Sequence, residues 1–187
     1  MKVRLIVLVF LTTLTTAVQS QVKHTANGKK ILIAYFSHSG NTRTVANQIR
    51  SLTCADIFEI TPVKPYPMDF NTLVAQVKNE ARTRYKPALK THLNNFQQYN
   101  IIILGSPNWW FTIAPPVASF LTSYNFAGKA IVPFITNEGS GLGISESDIK
   151  KLCPGATLLK GLPIKGSKVN EAKDNVAKWL KRLQIIK

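Results

Sequence analysis

From residue 31 to residue 183, short apolar runs alternate with segments whose apolar positions recur every three or four residues. Ile31–Phe36 is near-continuously apolar, which predicts a strand buried on both faces, as in a parallel sheet. Thr42–Leu52 carries Val45, Ile49 and Leu52 on one stripe and predicts a helix. Asp56–Ile60 reads as a second strand, stopped by Thr61-Pro62. The connection Pro62–Pro67 then leads to a helix near Asp69–Tyr85, with Leu73, Val77 and Ala81 four apart. Ile101–Leu104 is the most strand-like run in the chain, and Gly105-Ser106-Pro107 is expected to end it. Pro115-Pro116 suit the first turn of a helix carrying Val117, Phe120 and Leu121. Ala130–Ile135 predicts a fourth strand. Glu146–Leu152 predicts a short helix with Ser145 as its N-cap and acidic residues in its first turn. Thr157–Leu159, with Leu162–Ile164, makes a fifth strand. The last helix spans Glu171–Leu183, with Asn170 as cap and Val176, Leu180 and Leu183 inward.

Five successive β–α units imply an α/β fold: a doubly wound sheet of five parallel strands with helices on both faces, because parallel strands need right-handed crossovers. A chain of 187 residues is long enough to bury one full core without metal or disulfide staples. Ligands of such sheets bind outside the carboxyl ends of the strands, which directs attention to the loops after strands one, three and four.

Residues 1–20 follow another pattern. Lys2 and Arg4 precede an apolar run, Leu5–Phe10, that continues through Leu14, and small and polar residues end at Ser20. The run is too short to span a bilayer and predicts a signal peptide cut after Ser20, hence an exported protein, periplasmic or secreted, with no stable membrane insertion afterwards. Residues 21–29 read as a polar linker and 30–187 as the domain.

The first loop, Ser37-His38-Ser39-Gly40-Asn41-Thr42, places hydroxyls, an amide and a glycine directly before a helix. A helix start presents unpaired N–H groups and a positive dipole end, so neutral donors gathered there suit a small anion such as a phosphomonoester. The loop matches neither the lysine-bearing triphosphate cradle nor the dinucleotide turn. The second loop, Ser106-Pro107-Asn108-Trp109-Trp110-Phe111-Thr112, offers flat surfaces for a planar ring, one tryptophan stacking while its neighbours brace it. In the third, Thr136-Asn137-Glu138-Gly139-Ser140-Gly141-Leu142-Gly143, alternate glycines let backbone amides face a ligand. The histidines (His24, His38, His92) are dispersed, so no metal-ligand set is visible, and no Ser/His/Asp or Cys/His grouping suggests a catalytic side chain.

With "ILIAYFSHSGNTRTVANQI", "IILGSPNWWFTIAPPVASFL" and "PFITNEGSGLG" in this order, nearly all of Ile31–Leu183 resembles the flavodoxin-like family, in particular its small single-domain flavodoxins. The resemblance implies strand order 2-1-3-4-5, non-covalently bound FMN and electron transfer. It also implies that Ser37, His38 (through its backbone), Ser39, Gly40, Asn41 and Thr42 hold the phosphate. Pro107, Asn108, Trp109 and Trp110 would line one side of the flavin, and Thr136, Glu138, Gly139, Ser140 and Gly141 the other. Phe111 stands where relatives often carry glycine. The implied order puts Cys54 and Cys153 at opposite sheet edges, beyond disulfide reach, so both are expected to be free.

Composition then bears on partners. The chain carries 24 basic residues against 9 acidic, a formal charge of +15. The basic residues are scattered, with modest clusters at Lys78–Lys90 and Lys173–Lys187 and no dedicated nucleic-acid face. Against the acidic habit of flavodoxins, this charge predicts a less negative second reduction potential and, for a protein redox partner, an acidic one. A small-molecule electron acceptor is the other partner class, and the chain is expected to be a monomer or homodimer. The alternative functions are an FMN-dependent NAD(P)H:quinone reductase and a non-redox binding protein of the same shape.

Overall fold

In the computed structural model, which describes residues 28–187, the run Ile31–Tyr35 forms β1 with every side chain buried. The expected signal peptide, and the linker up to residue 27, lie outside the described residues. Helix α1, Asn41–Thr53, turns Val45, Ala46 and Ile49 inward. Strand β2 is Asp56–Glu59 and helix α2 is Phe70–Thr83, capped by Asp69, whose carboxylate accepts from the Thr72 amide. Strand β3, Ile101–Trp109, turns back into the short antiparallel β4, Thr112–Ile113. There follow α3 (Pro115–Ser123), β5 (Ala130–Asn137), α4 (Ser145–Leu152), β6 (Thr157–Leu158), β7 (Leu162–Lys165) and α5 (Lys173–Arg182).

The sheet runs β2-β1-β3-β5-β6, with every pairing along that path parallel, and β7 pairs with β5 beyond the end of β6. The fifth position of the expected 2-1-3-4-5 order is thus filled by two short strands in succession. One core packs α2, α3 and α4 on the face bearing Leu32, Ala34 and Ile102. The other packs α1 and α5, with Val176, Trp179 and Leu180, on the face bearing Ile31, Ile33 and Ile103. Among the described residues no helix is long and apolar enough to cross a membrane.

Three expected boundaries move. Strand β3 does not stop at Gly105-Ser106-Pro107 but runs on to Trp109, its ladder to β5 holding as far as Pro107 opposite Thr136. Strand β1 has ended by then, its last pair being Tyr35 with Gly105, so Pro107 lacks a neighbour on that side and its missing N–H costs no ladder bond. Gly105 is required for a different reason: a Cβ there would overlap the ring of Phe134, its partner in register on β5. Ser145 is the first residue of α4 rather than its cap. The preceding turn is closed by backbone bonds, Ile144 N–H to the Phe111 carbonyl and Ser145 N–H to that of Leu142, and the buried Ser145 hydroxyl has no partner among the described residues. Helix α5 begins at Lys173, after a 3-10 stretch, Gly166–Glu171, that buries Val169 and absorbs Asn170, the expected cap.

Both cysteines are free, Cys54 exposed and Cys153 buried. Burial pushes the Cys153 thiol up to about 11, which removes thiolate as well as access. A thiol-exchange reagent at neutral pH should therefore titrate one thiol rapidly in the native protein and the second only after unfolding. Two fast thiols would show that the α4 end of the core is open.

Candidate functional site

The carboxyl ends of β1, β3 and β5 lie side by side, and the three loops that leave them meet. After β1 the chain turns through Ser37–Gly40 into α1. Gly40 holds the cap position at φ +95°, with nothing within 4 Å of where its Cβ would stand, so the crest of the loop is open. The amides of Ser39, Gly40, Asn41 and Thr42 donate to no acceptor among the described residues, leaving the start of α1 as a set of free donors at the positive end of its dipole. Ser37 Oγ accepts from the Arg43 amide at 3.2 Å, and the Ser39 hydroxyl is exposed. The nearest cation does not enter the loop. The Arg43 guanidinium is paired with Glu59, which also accepts from the Tyr35 hydroxyl at 3.1 Å. Burial and the Glu59 charge raise the Tyr35 pKa, so that hydroxyl remains a donor.

Thr42 is buried, and its hydroxyl meets that of Thr136, at the end of β5, at 2.8 Å. This bond ties the first loop to the third. The Asn41 and Glu138 side chains both approach the space that a side chain at Gly166 would need. The His38 ring turns away from the loop, with Nε2 2.9 Å from the Pro67 carbonyl and the ring edge-on to Trp109 at 5.7 Å. Only the backbone of His38 stays with the loop.

In the second loop Asn108 pairs with Ile113 and Trp109 with Thr112, leaving a two-residue turn, Trp110-Phe111, at φ +54° and +66°. Such turns match the twist of the flanking strands, require left-handed backbone at both positions and favour Asn-Gly. Two bulky aromatics here hold a strained backbone and are themselves exposed, Trp110 by 48% and Phe111 by 66%. Trp109 is half-buried, edge-on to Phe36 at 5.4 Å and to Tyr66 at 4.8 Å. The Tyr66 hydroxyl donates to the buried Glu80 at 2.6 Å, and burial, reinforced by that bond, raises its pKa. Trp109 is therefore the braced member of the aromatic run. The bracing expected of Phe111 is absent from its ring and comes instead through its carbonyl, which accepts from Ile144 N–H at 2.7 Å.

Asn137 organises the third loop, a role that sequence reasoning missed. Its Oδ1 accepts from the Gly139 and Gly141 amides at 2.9 and 3.1 Å, and its Nδ2 donates to the Ile164 carbonyl at 3.2 Å. The signal was an asparagine placed where a strand breaks into glycines, the setting of an Asx turn. Asn108 Nδ2 reaches the Gly141 carbonyl at 3.0 Å, joining the second and third loops. Gly139 and Gly141 have positive φ and open space where a Cβ would be, whereas Gly143 packs against the Phe111 carbonyl with no room for one. Ser140 stays exposed, and Pro107 is half-buried at the end of the β3 ladder.

A family model for flavodoxin matches residues 30–183. The crystal structure of a candidate flavoprotein from Bacteroides uniformis is 29% identical, with TM-score 0.73, covering 82% of this chain and 99% of its own. One from Bacteroides eggerthii is 28% identical, with TM-score 0.67, covering 80% and 98%. A Lactobacillus acidophilus flavoprotein crystallised in complex with FMN shares the fold at 22% identity and TM-score 0.63, over 76% of this chain and 97% of its own. No curated protein matches the chain.

The strained turn makes a prediction independent of any ligand. Replacing Trp110-Phe111 by Asn-Gly should stabilise the protein by roughly 1–2 kcal/mol in urea denaturation, because the left-handed conformation then costs little. A loss of stability would mean that the two rings contribute packing that outweighs their backbone strain.

Proposed function

The chain belongs to the flavodoxin family, and from that premise we propose that it binds FMN non-covalently at the carboxyl edge of its sheet and transfers electrons through it. One observation carries the reading: unpartnered amides at the start of α1, under the open crest at Gly40, are fastened to the glycine loop by the Thr42–Thr136 hydroxyl pair. The donor set fits a phosphate ester. The Ser37 and Ser39 hydroxyls, the Asn41 amide group and the backbone N–H groups of Ser39–Thr42 would hold it by oriented dipoles, with Arg43 committed to Glu59. Pro107–Trp110 and Thr136–Gly141 would clasp the ring, with Trp109 held firm by Phe36 and Tyr66 and the glycine loop held in shape by Asn137, whose Oδ1 takes up the Gly139 and Gly141 amides. Bound FMN supplies the one- and two-electron chemistry, while the protein supplies binding, orientation and field. No side chain is needed as acid, base or nucleophile.

The charge and the N-terminal pattern support two further parts of the proposal. The 22 basic against 9 acidic residues that remain without Lys2 and Arg4 would stabilise negative charge on the reduced ring and favour acidic protein partners, alongside small-molecule acceptors. The charged, apolar and small-residue order of residues 1–20 supports export.

The test begins with the exported protein, expected to start at Gln21, titrated with FMN by flavin fluorescence. One equivalent should bind with quenching, and Ser37→Ala/Ser39→Ala should weaken FMN at least tenfold while leaving riboflavin, which lacks the phosphate, unchanged. A protein that ignores FMN overturns the reading, and equal losses for both flavins would displace the phosphate from the first loop. Potentiometry on the FMN-loaded protein should give a second potential less negative than that of acidic flavodoxins. A strongly negative value would contradict the charge argument.

A further inference from the structure

A cavity of about 920 Å³ opens beneath the Trp110-Phe111 turn, between the second half of α2, the start of α3 and α4. No residue of the Ser37–Thr42 or Thr136–Gly141 loops lines it, and of the proposed flavin contacts only Trp110 borders it. Its floor is apolar, built from Ala81, Ile113, Pro115, Ala118 and Leu152. Trp110 and Tyr85 add exposed aromatic surface at its mouth, and the Lys78 ammonium lies 5.9 Å from the centre of the Trp110 ring. A volume of this size suits a small organic ligand, which such sites typically bury against apolar walls with a few polar groups fixing its orientation.

The charges around the cavity are unequal in a way that selects the ligand. Both lining carboxylates are engaged. Glu80 accepts from the Tyr66 hydroxyl and from Gln76, while Asp148 accepts from the Thr112 hydroxyl at 2.7 Å and lies 3.4 Å from Lys151. Lys78, Arg82, Arg84 and Lys86 also line it, and none of these four has a carboxylate within ion-pair distance among the described residues. Arg82 meets only the neutral Asn79. Unneutralised cations beside apolar and aromatic walls attract a ligand that is itself apolar, flat and negatively charged.

We propose that this groove binds a planar aromatic anion, with its ring system against Trp110 and the apolar floor and its acidic group against the Arg82–Lys86 cluster. The site shares Trp110 with the one proposed for FMN and no other residue of it. The exposed, strained placement of Trp110 then has a use: the turn carries the indole to the mouth of the groove.

Isothermal titration of the protein with anthraquinone-2-sulfonate, with and without saturating FMN, reads the groove directly. One molecule should bind in both conditions. Uncharged 1,4-naphthoquinone and the flexible anion decanoate should each bind at least tenfold more weakly. Ala118→Trp, which fills the floor, should abolish binding with FMN affinity unchanged, and R82Q/R84Q/K86Q, all exposed positions, should weaken it at least tenfold with the melting temperature unchanged. Decanoate binding as tightly as the sulfonate would overturn the aromatic assignment. Displacement by FMN would assign the sulfonate to the flavin site instead. Binding indifferent to the charge variant, or no binding to the native protein, would end the proposal.

Discussion

Everything at the candidate site depends on β3 being held in parallel between β1 and β5. That pairing fixes where three strands end, and hence where three unrelated stretches of chain can touch. The difference in strand length does the rest. Strand β1 stops at Tyr35 while β3 and β5 continue, so α1 begins beside strands that are still running, and Thr42 lies level with Thr136. A buried hydroxyl pair at that level is specific because neither oxygen has water to fall back on. The glycine loop then inherits its position from Asn137, whose side chain faces the loop amides on one side and the β7 carbonyl of Ile164 on the other.

The two proposed sites would attract negative charge in different ways. At the start of α1 the Arg43 guanidinium is paired with Glu59, and the attraction proposed there comes from backbone dipoles fixed by the fold. The α2 side is the reverse, with exposed side-chain cations, Arg82, Arg84 and Lys86, at and beyond the helix end. The first arrangement loses little to reorganisation when an anion arrives and is weakly screened. The second is adjustable and salt-sensitive. The chain's large positive charge therefore does not describe the corner proposed for the phosphate.

The sheet and its layers were legible because buried parallel strands leave uninterrupted apolar runs, as in Ile31–Phe36, and amphipathic helices leave a stripe, as in Val45 and Ile49. The first loop was legible as chemistry because hydroxyls and an amide gathered in Ser37–Thr42, directly before a helix, exceed what a cap requires. Features set by neighbours were not legible. Whether Pro107 ends a strand depends on β1 having stopped two residues earlier on that side, which no local reading of Gly-Ser-Pro contains. The roles of Ser145 and Asn170 were reassigned by backbone contacts from Phe111 and by the burial of Val169. The Trp110-Phe111 turn carried no turn residues at all, and the groove beneath it arises from how α2 sits over α3 and α4, a tertiary fact.

Gly105 has a consequence for how sequences of this kind can change. The ring of Phe134 occupies the space that any side chain at position 105 would need. Enlarging 105 first produces a collision between adjacent central strands; shrinking 134 first leaves a hole costing about 3–5 kcal/mol if the ring is lost entirely. Either single step takes a large share of an ordinary stability of about 5–15 kcal/mol. The two positions should therefore drift together or not at all, dividing lineages into those with glycine facing an aromatic and those with the bulk exchanged, and few in between.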